Sequence, residues 1–300
     1  MIPSFNNLSA SALSMALLLL GACAQTSSIN KEATKPKEAK LLAVDLHRDH
    51  GWAAIRAERF DEAGTYFKRI LQERGDDAEA MLGLGEAMLG QHRLDDAEAE
   101  FVRVGEGDNE QLKARALQGQ AIVLLRRGQH EQAGTLLNEA VALDATLWRA
   151  WNGLGRVHDA DKDYTAARYA YRQAIALNPD VALLHNNLGF SLLASGDPAF
   201  AESAFTRALD IDPALGVANA NLRLALALQG RYGPALAGTA MTERARVMNN
   251  VGYAALLRGD LAKARSLFLG AMEADPGFFK EARRNLAYLE TLEAGRLIEP

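Results

Sequence analysis

Side chains able to attack, ionise or coordinate are sparse in this sequence and seldom close together. The six histidines stand at 47, 50, 92, 130, 158 and 185, and the only cluster is Asp45, His47, Asp49 and His50. Two imidazoles at i and i+3 could share a metal ion, but the third ligand of the usual zinc motifs does not follow. A solvated helix surface is the competing reading. The sequence has no G-x-S-x-G and no phosphate-binding glycine loop. The expectation is therefore no enzyme, with no catalytic residue, resident metal or cofactor. One thiol, Cys23, leaves no disulfide framework and no multi-cysteine metal site. Thirty-three Lys and Arg against 38 Asp and Glu give a net charge of −5. That balance offers phosphate backbones no attraction, so nucleic acid is excluded as the main partner.

Binding is the better prospect, and the elements that would carry it are periodic. An alanine recurs as Ala63, Ala97, Ala133, Ala167, Ala201, Ala235 and Ala264, at steps of 34, 36, 34, 34, 34 and 29. Four residues after it comes Phe67, Phe101, Leu137, Tyr171, Phe205 or Phe268, with Thr239 the exception. Twelve residues before it stands a small residue, Gly51, Gly85, Ala121, Gly155, Gly189 or Gly252, with Arg223 the exception. Glycines 90, 128, 196, 230 and 259 read as turns, and Pro179, Pro213 and Pro276 stop the second helix of their units. Each unit is thus helix, turn, helix, stop. The units run 44–77, 78–111, 114–147, 148–181, 182–215, 216–244 and 245–278, and a closing helix and tail occupy 279–300. The first and sixth are the least regular.

This pattern resembles the tetratricopeptide repeat (TPR) family over residues 44–278. Unit four is the best match, with Trp151, Leu154, Gly155, Ala167, Tyr171, Ala174 and Pro179 in register. The resemblance implies an all-α fold, a right-handed superhelix of about seven helix pairs with a C-terminal capping helix. At 100° per residue, positions 4, 7, 8 and 11 of each first helix face the core, and positions 2, 5, 9 and 12 form a separate stripe. In TPR proteins that stripe lines the inner groove, where extended peptides bind. In units four to seven it carries Arg149, Asn152, Arg156, Leu183, Asn186, Phe190, Asn249 and Tyr253, and position 6 adds Asn187, Asn221 and Asn250. Neutral amides can donate to and accept from a peptide backbone without selecting its sequence. Leu183, Phe190 and Tyr253 offer apolar pockets. The alternative is that these asparagines bridge or cap neighbouring helices. His158 and His185 fall at scaffold positions. The family's two-carboxylate clamp is only partly echoed, by Arg149, Arg156 and Asn187.

At the amino terminus an uncharged stretch with the apolar centre Met15–Leu20 leads to Leu20-Gly21-Ala22-Cys23. The centre is too short to span a bilayer, which takes about 20 apolar residues, and reads as a signal peptide over 1–22. The tetrapeptide resembles the lipobox of bacterial lipoproteins. That implies lipidation of Cys23 and, with Ala24 next, sorting to the outer membrane with the body facing the periplasm. Residues 23–43 read as the lipidated cysteine and a flexible tether; Ala24–Lys40 carries four lysines and two glutamates, a net +2.

The stretches NNLGFSLLASGD (Asn186–Asp197), NLRLALALQGRY (Asn221–Tyr232) and NNVGYAALLRGD (Asn249–Asp260) resemble the Flp/Tad pilus assembly lipoproteins, the TadD family. This implies a scaffold for protein partners such as pilus components or a secretin. A type IV pilotin and an adaptor for peptidoglycan enzymes are built similarly. A metal-dependent periplasmic enzyme using His47 and His50 is the remaining alternative.

Overall fold

The computed structural model describes residues 34–275, 277 and 279–296. Among them there is no strand. Seven helix pairs follow one another: α1 (Thr34–Arg56) with α2 (Phe60–Glu73), α3 (Ala78–Gly90) with α4 (Leu94–Gly105), α5 (Glu110–Arg126) with α6 (His130–Leu143), α7 (Trp148–Ala160) with α8 (Tyr164–Leu177), α9 (Ala182–Ala194) with α10 (Pro198–Ile211), α11 (Gly216–Leu228) with α12 (Tyr232–Leu236), and α13 (Arg244–Leu257) with α14 (Leu261–Ala274). Then α15 (Phe279–Arg296) closes the stack. Each helix packs on the next in sequence. In addition every first helix touches the first helix of the following unit, from α1 on α3 to α13 on α15. The first helices therefore make a continuous inner wall and the second helices an outer one. This is a helical solenoid of the expected kind.

The core repeats because one wedge repeats. The large residue four places after each marker alanine is fully buried: Phe67, Phe101, Leu137, Tyr171, Phe205 and Phe268. The rings lie where a glycine of the facing first helix lets them in. A Cβ on Gly189 would stand 2.6 Å from Phe205, and one on Gly85 or Gly119 would stand 2.6 Å from Phe101. Phe101 thus wedges between its own unit and the next, which couples neighbours and makes stability a nearest-neighbour property. Truncating such a ring to alanine costs about 3–5 kcal/mol.

Two departures from the sequence reading have physical causes, and one irregularity it expected is present. First, α1 begins at Thr34, so residues 34–43, expected to be flexible tether, are helical. The run is rich in Ala, Lys, Leu and Glu, and Pro36 falls in the first turn, where its missing N–H is not needed. Second, Gly90 is the last residue of α3, packed against the Phe60 ring. The left-handed turn conformation falls on His92 (φ 61°) instead; Gly128, Gly196, Gly230 and Gly259 hold it as expected. Unit six is irregular as expected: α12 has five residues and gives way to a turn and a 3-10 segment, Met241–Glu243. Cys23, the expected signal peptide and Pro276 lie outside the described residues. Among the described residues no helix is long and apolar enough to cross a membrane.

Candidate functional site

The two halves of the inner wall differ. In units one to four the stripe positions pair with one another. Arg48 binds Asp77 and Glu79 at 2.7 and 3.1 Å. Trp52 donates to Glu79 at 3.3 Å, and Arg115 of α5 lies 4.8 Å above its ring. Arg149 of α7 reaches past α5 to Glu86 of α3, with both oxygens of the buried carboxylate 2.9 Å away. Arg126 donates to the Leu89 carbonyl at the end of α3, at 2.6 Å. Burial, then the charges of Arg149 and Arg156, pull the Arg126 guanidinium below its usual range, although Glu86 opposes this. Arg149, expected in the binding groove, is thus a strut. Glu79, Glu86 and Arg115 sit at positions 2, 9 and 2 of units two and three, so extending the register upstream finds them.

The asparagines form a ladder by a simple rule. An asparagine at position 6 donates to one at position 5 of the preceding unit: Asn187 to Asn152 at 2.9 Å and Asn221 to Asn186 at 3.0 Å. Asn186 also donates to Asn187, at 3.4 Å. Asn285 of α15 donates to Asn249 at 2.9 Å. Asn186 and Asn249 are buried. Bridging, not peptide capture, is the first use of these five amides of the stripe. Asn250 departs from the rule, because position 5 of unit six is Ala220. It is exposed and has no hydrogen-bond partner among the described residues.

Beside the ladder the wall is open. One hollow, of about 520 Å³, lies between α7 and α9 and is lined by Asn152, Arg156, Asp159, Tyr171, Leu183, Asn187 and Phe190. Leu183 and Phe190 are 48% and 53% exposed, large apolar side chains on a concave face. At its floor Tyr171 donates to Asp159 Oδ2 at 2.7 Å. Burial, reinforced by the Asp159 charge, pushes the phenol far above its usual range. Asp159 Oδ1 is buried with no hydrogen-bond partner among the described residues, so the floor presents an acceptor. Asp159 stands at position 12 of the same stripe and was legible there. Arg156 is exposed at the rim.

The second hollow, of about 900 Å³, lies between α11 and α13 below the shortened α12. Asn221, Asn249, Asn250 and Tyr253, all expected in the groove, line it together with Arg223, Glu243, Arg246 and Asn285. Arg223 and Thr239, the two exceptions in the repeat, meet here. Where five other units seat a ring on a glycine, the Arg223 guanidinium donates to the Ala235 carbonyl at 2.7 Å and to Thr239 Oγ1 at 2.8 Å. The arginine fills part of the space the missing ring leaves, and the rest is the hollow.

The His47 and His50 rings both lie against Tyr66 of α2, with centroids 5.8 and 5.3 Å away. Among the described residues no three of His, Cys, Asp and Glu gather where they could hold a metal ion. His185 engages the Pro179 carbonyl at 2.9 Å, a scaffold contact.

Comparisons with known proteins agree with this architecture. Tetratricopeptide repeat family models match residues 54–121 and 160–196. No curated protein sequence matches the chain. Among solved structures, pilF of Pseudomonas aeruginosa is similar at 22% identity and a TM-score of 0.54, over 71% of this chain and 99% of that one. A thermophilic TPR protein in Thermus thermophilus is similar at 21% identity and 0.51, over 64% and 98%. The APC/C hetero-tetramer Cut9-Hcn1 is similar at 19% identity and 0.62, over 82% of this chain and 49% of that one. At these identities the likeness is one of fold. Tetratricopeptide repeats are matched within those two segments, and the rest of the chain shares the solenoid fold.

Proposed function

We propose that this protein is a lipid-anchored outer-membrane scaffold that holds protein partners, such as pilus components or a secretin, while a surface apparatus of the Flp/Tad type is built. The observation that carries the binding half of this reading is the contrast along the inner wall. Units one to four close their groove with ion pairs, whereas units four to seven leave two hollows with Leu183, Phe190 and Tyr253 exposed on a concave face. Exposed apolar side chains beside an unpaired amide and an unpaired acceptor suit an extended polypeptide, whose backbone supplies both donors and acceptors.

The anchoring half rests on the lipobox-like Leu20–Cys23 and the pilus half on the three Asn-rich stretches, both sequence resemblances. Two or three acyl chains on Cys23 would hold the body firmly, since each buried CH₂ contributes about 0.8 kcal/mol. With α1 starting at Thr34, ten residues separate that cysteine from the solenoid. The groove would then work close to the membrane surface.

Two measurements test the reading. Cys23→Ser should abolish fatty-acid labelling and release the protein from membranes; unchanged labelling rejects the anchor. Pull-down from outer membranes with the wild-type chain and with Phe190→Ala, followed by mass spectrometry, should recover pilus or secretion components less well with the variant. Equal recovery excludes the hollow between α7 and α9 as the site of capture.

A further inference from the structure

The first helix is longer than the repeat requires. α1 has 23 residues, against 13 to 17 for the first helices of the six other units, and residues 34–43 lie ahead of unit one. At 1.5 Å per residue the excess is about 15 Å. Its neighbour α2 has 14 residues and runs back along α1 from the turn at 57–59, so it accompanies the later part of α1 and stops short of its start. On the side that packs, Val44 is 1% exposed. On the opposite side Leu42 and Leu46, one helical turn apart, are 72% and 52% exposed, and Leu41 beside them is 43% exposed. No other described leucine is as exposed as Leu42. Large apolar side chains gathered at the open end of a stack are unfavourable in water, and terminal units of a solenoid ordinarily turn a polar face outward.

We infer that this face rests on a lipid surface, with the start of α1 entering the headgroup layer and Leu41, Leu42 and Leu46 reaching the acyl boundary. The inference rests on the anchoring reading and adds a second contact to it. Two features of the chain select a membrane as the occupant. Ten residues lie between Cys23 and Thr34, so an acylated cysteine keeps this end of the solenoid within reach of the bilayer. The stretch from Ala24 to Lys40 that leads into the leucines carries a net +2 in a chain of net −5, which matches anionic headgroups. The acids of α1 set the limit of the contact. Asp45 is neutralised in part by Arg48 at 3.0 Å, whereas Asp49, one turn beyond, is exposed and is repelled by the same surface. α1 therefore meets the membrane by its first turns rather than along its whole length. The acyl group tethers the protein, and this face orients it, so that the solenoid stands on the bilayer by its first unit.

The test uses the full acylated chain in vesicles of phosphatidylcholine with about one-third phosphatidylglycerol. Cys23 is the sole cysteine, so once it is acylated a nitroxide label attaches only at an introduced thiol, Leu42→Cys or, on an exposed position of α15, Ala287→Cys. A water-soluble nickel complex should relax the label at 42 roughly fivefold less than the label at 287, and dissolved oxygen should relax it more. Adding Leu41→Ser and Leu46→Ser to the Leu42→Cys chain should erase the difference while helicity and flotation with the vesicles persist. Phosphatidylcholine alone should weaken the shielding about threefold, and unchanged shielding there would overturn the part assigned to charge. Equal access at both positions in chains that float would overturn the inference and leave the anchor standing. Spin coupling between labels at 42 would overturn it in favour of a second copy on this face. Two labels per chain would reject the anchor and, with it, this placement of α1.

Discussion

Replacing Asn186 by alanine separates the two uses of the inner-wall amides. Asn186 is 5% exposed, accepts from Asn221 at 3.0 Å and donates to Asn187 at 3.4 Å. A buried neutral hydrogen bond contributes about 1 kcal/mol, and orphaning a partner adds to the loss. The second bond is long, and Asn221 borders the hollow, where water can reach it, so the expected loss is about 1–2 kcal/mol. For a chain of this size that corresponds to a fall of roughly 2–8 °C in the thermal midpoint. The damage should centre on α9 and α11, visible as faster amide exchange there than in α3 or α5, because each unit rests on its neighbours. Phe190→Ala is the counterpart. Its ring is 53% exposed, so stability should change by less than about 0.5 kcal/mol. Covering roughly 100 Å² of that ring in a complex is worth about 2 kcal/mol of partner affinity. Circular dichroism melts, hydrogen exchange and partner pull-down read all three quantities. An Asn186→Ala protein that melts like the wild type and yet loses its partner would refute the assignment of the ladder to structure.

Two further perturbations probe the scaffold. Gly189→Ala places a methyl group 2.6 Å from Phe205 and should cost about 1–3 kcal/mol by overpacking, with Phe205→Leu restoring part of it in the double variant; additive losses in urea unfolding would mean that the pair is not coupled. Tyr171→Phe loses the hydrogen bond to Asp159 and should be less stable at pH 7 by about 1–2 kcal/mol. Because the folded phenol is held far above its unfolded value, its contribution is complete below pH of about 10 and is lost as pH rises beyond that. The stability gap between wild type and variant should therefore narrow in alkali, and a gap that widens there would contradict the burial of this hydroxyl.

The solenoid was readable from the residues because its core is written locally. A marker alanine, a ring four places on and a small residue twelve places back come from one helix pair, so the 34-residue period carries the packing rule itself. Even the faults were visible: Arg223 and Thr239 broke the pattern in the same unit, and the structure shows one compensating for the other. Of the residues the sequence assigned to the groove, Asn152, Asn187, Asn221, Asn249, Asn250, Tyr253, Leu183 and Phe190 border one hollow or the other.

What one repeat could not disclose was which of those side chains remain available. Arg149 is spoken for by Glu86, 63 residues away, and Asn187 by Asn152, 35 residues away. Such partners meet because successive first helices lie side by side along one wall, where an arginine on α7 can reach past α5 to α3. The identity of each position is a property of the chain, whereas its freedom depends on which side chains of the neighbouring first helices come within reach, and no periodicity encodes that.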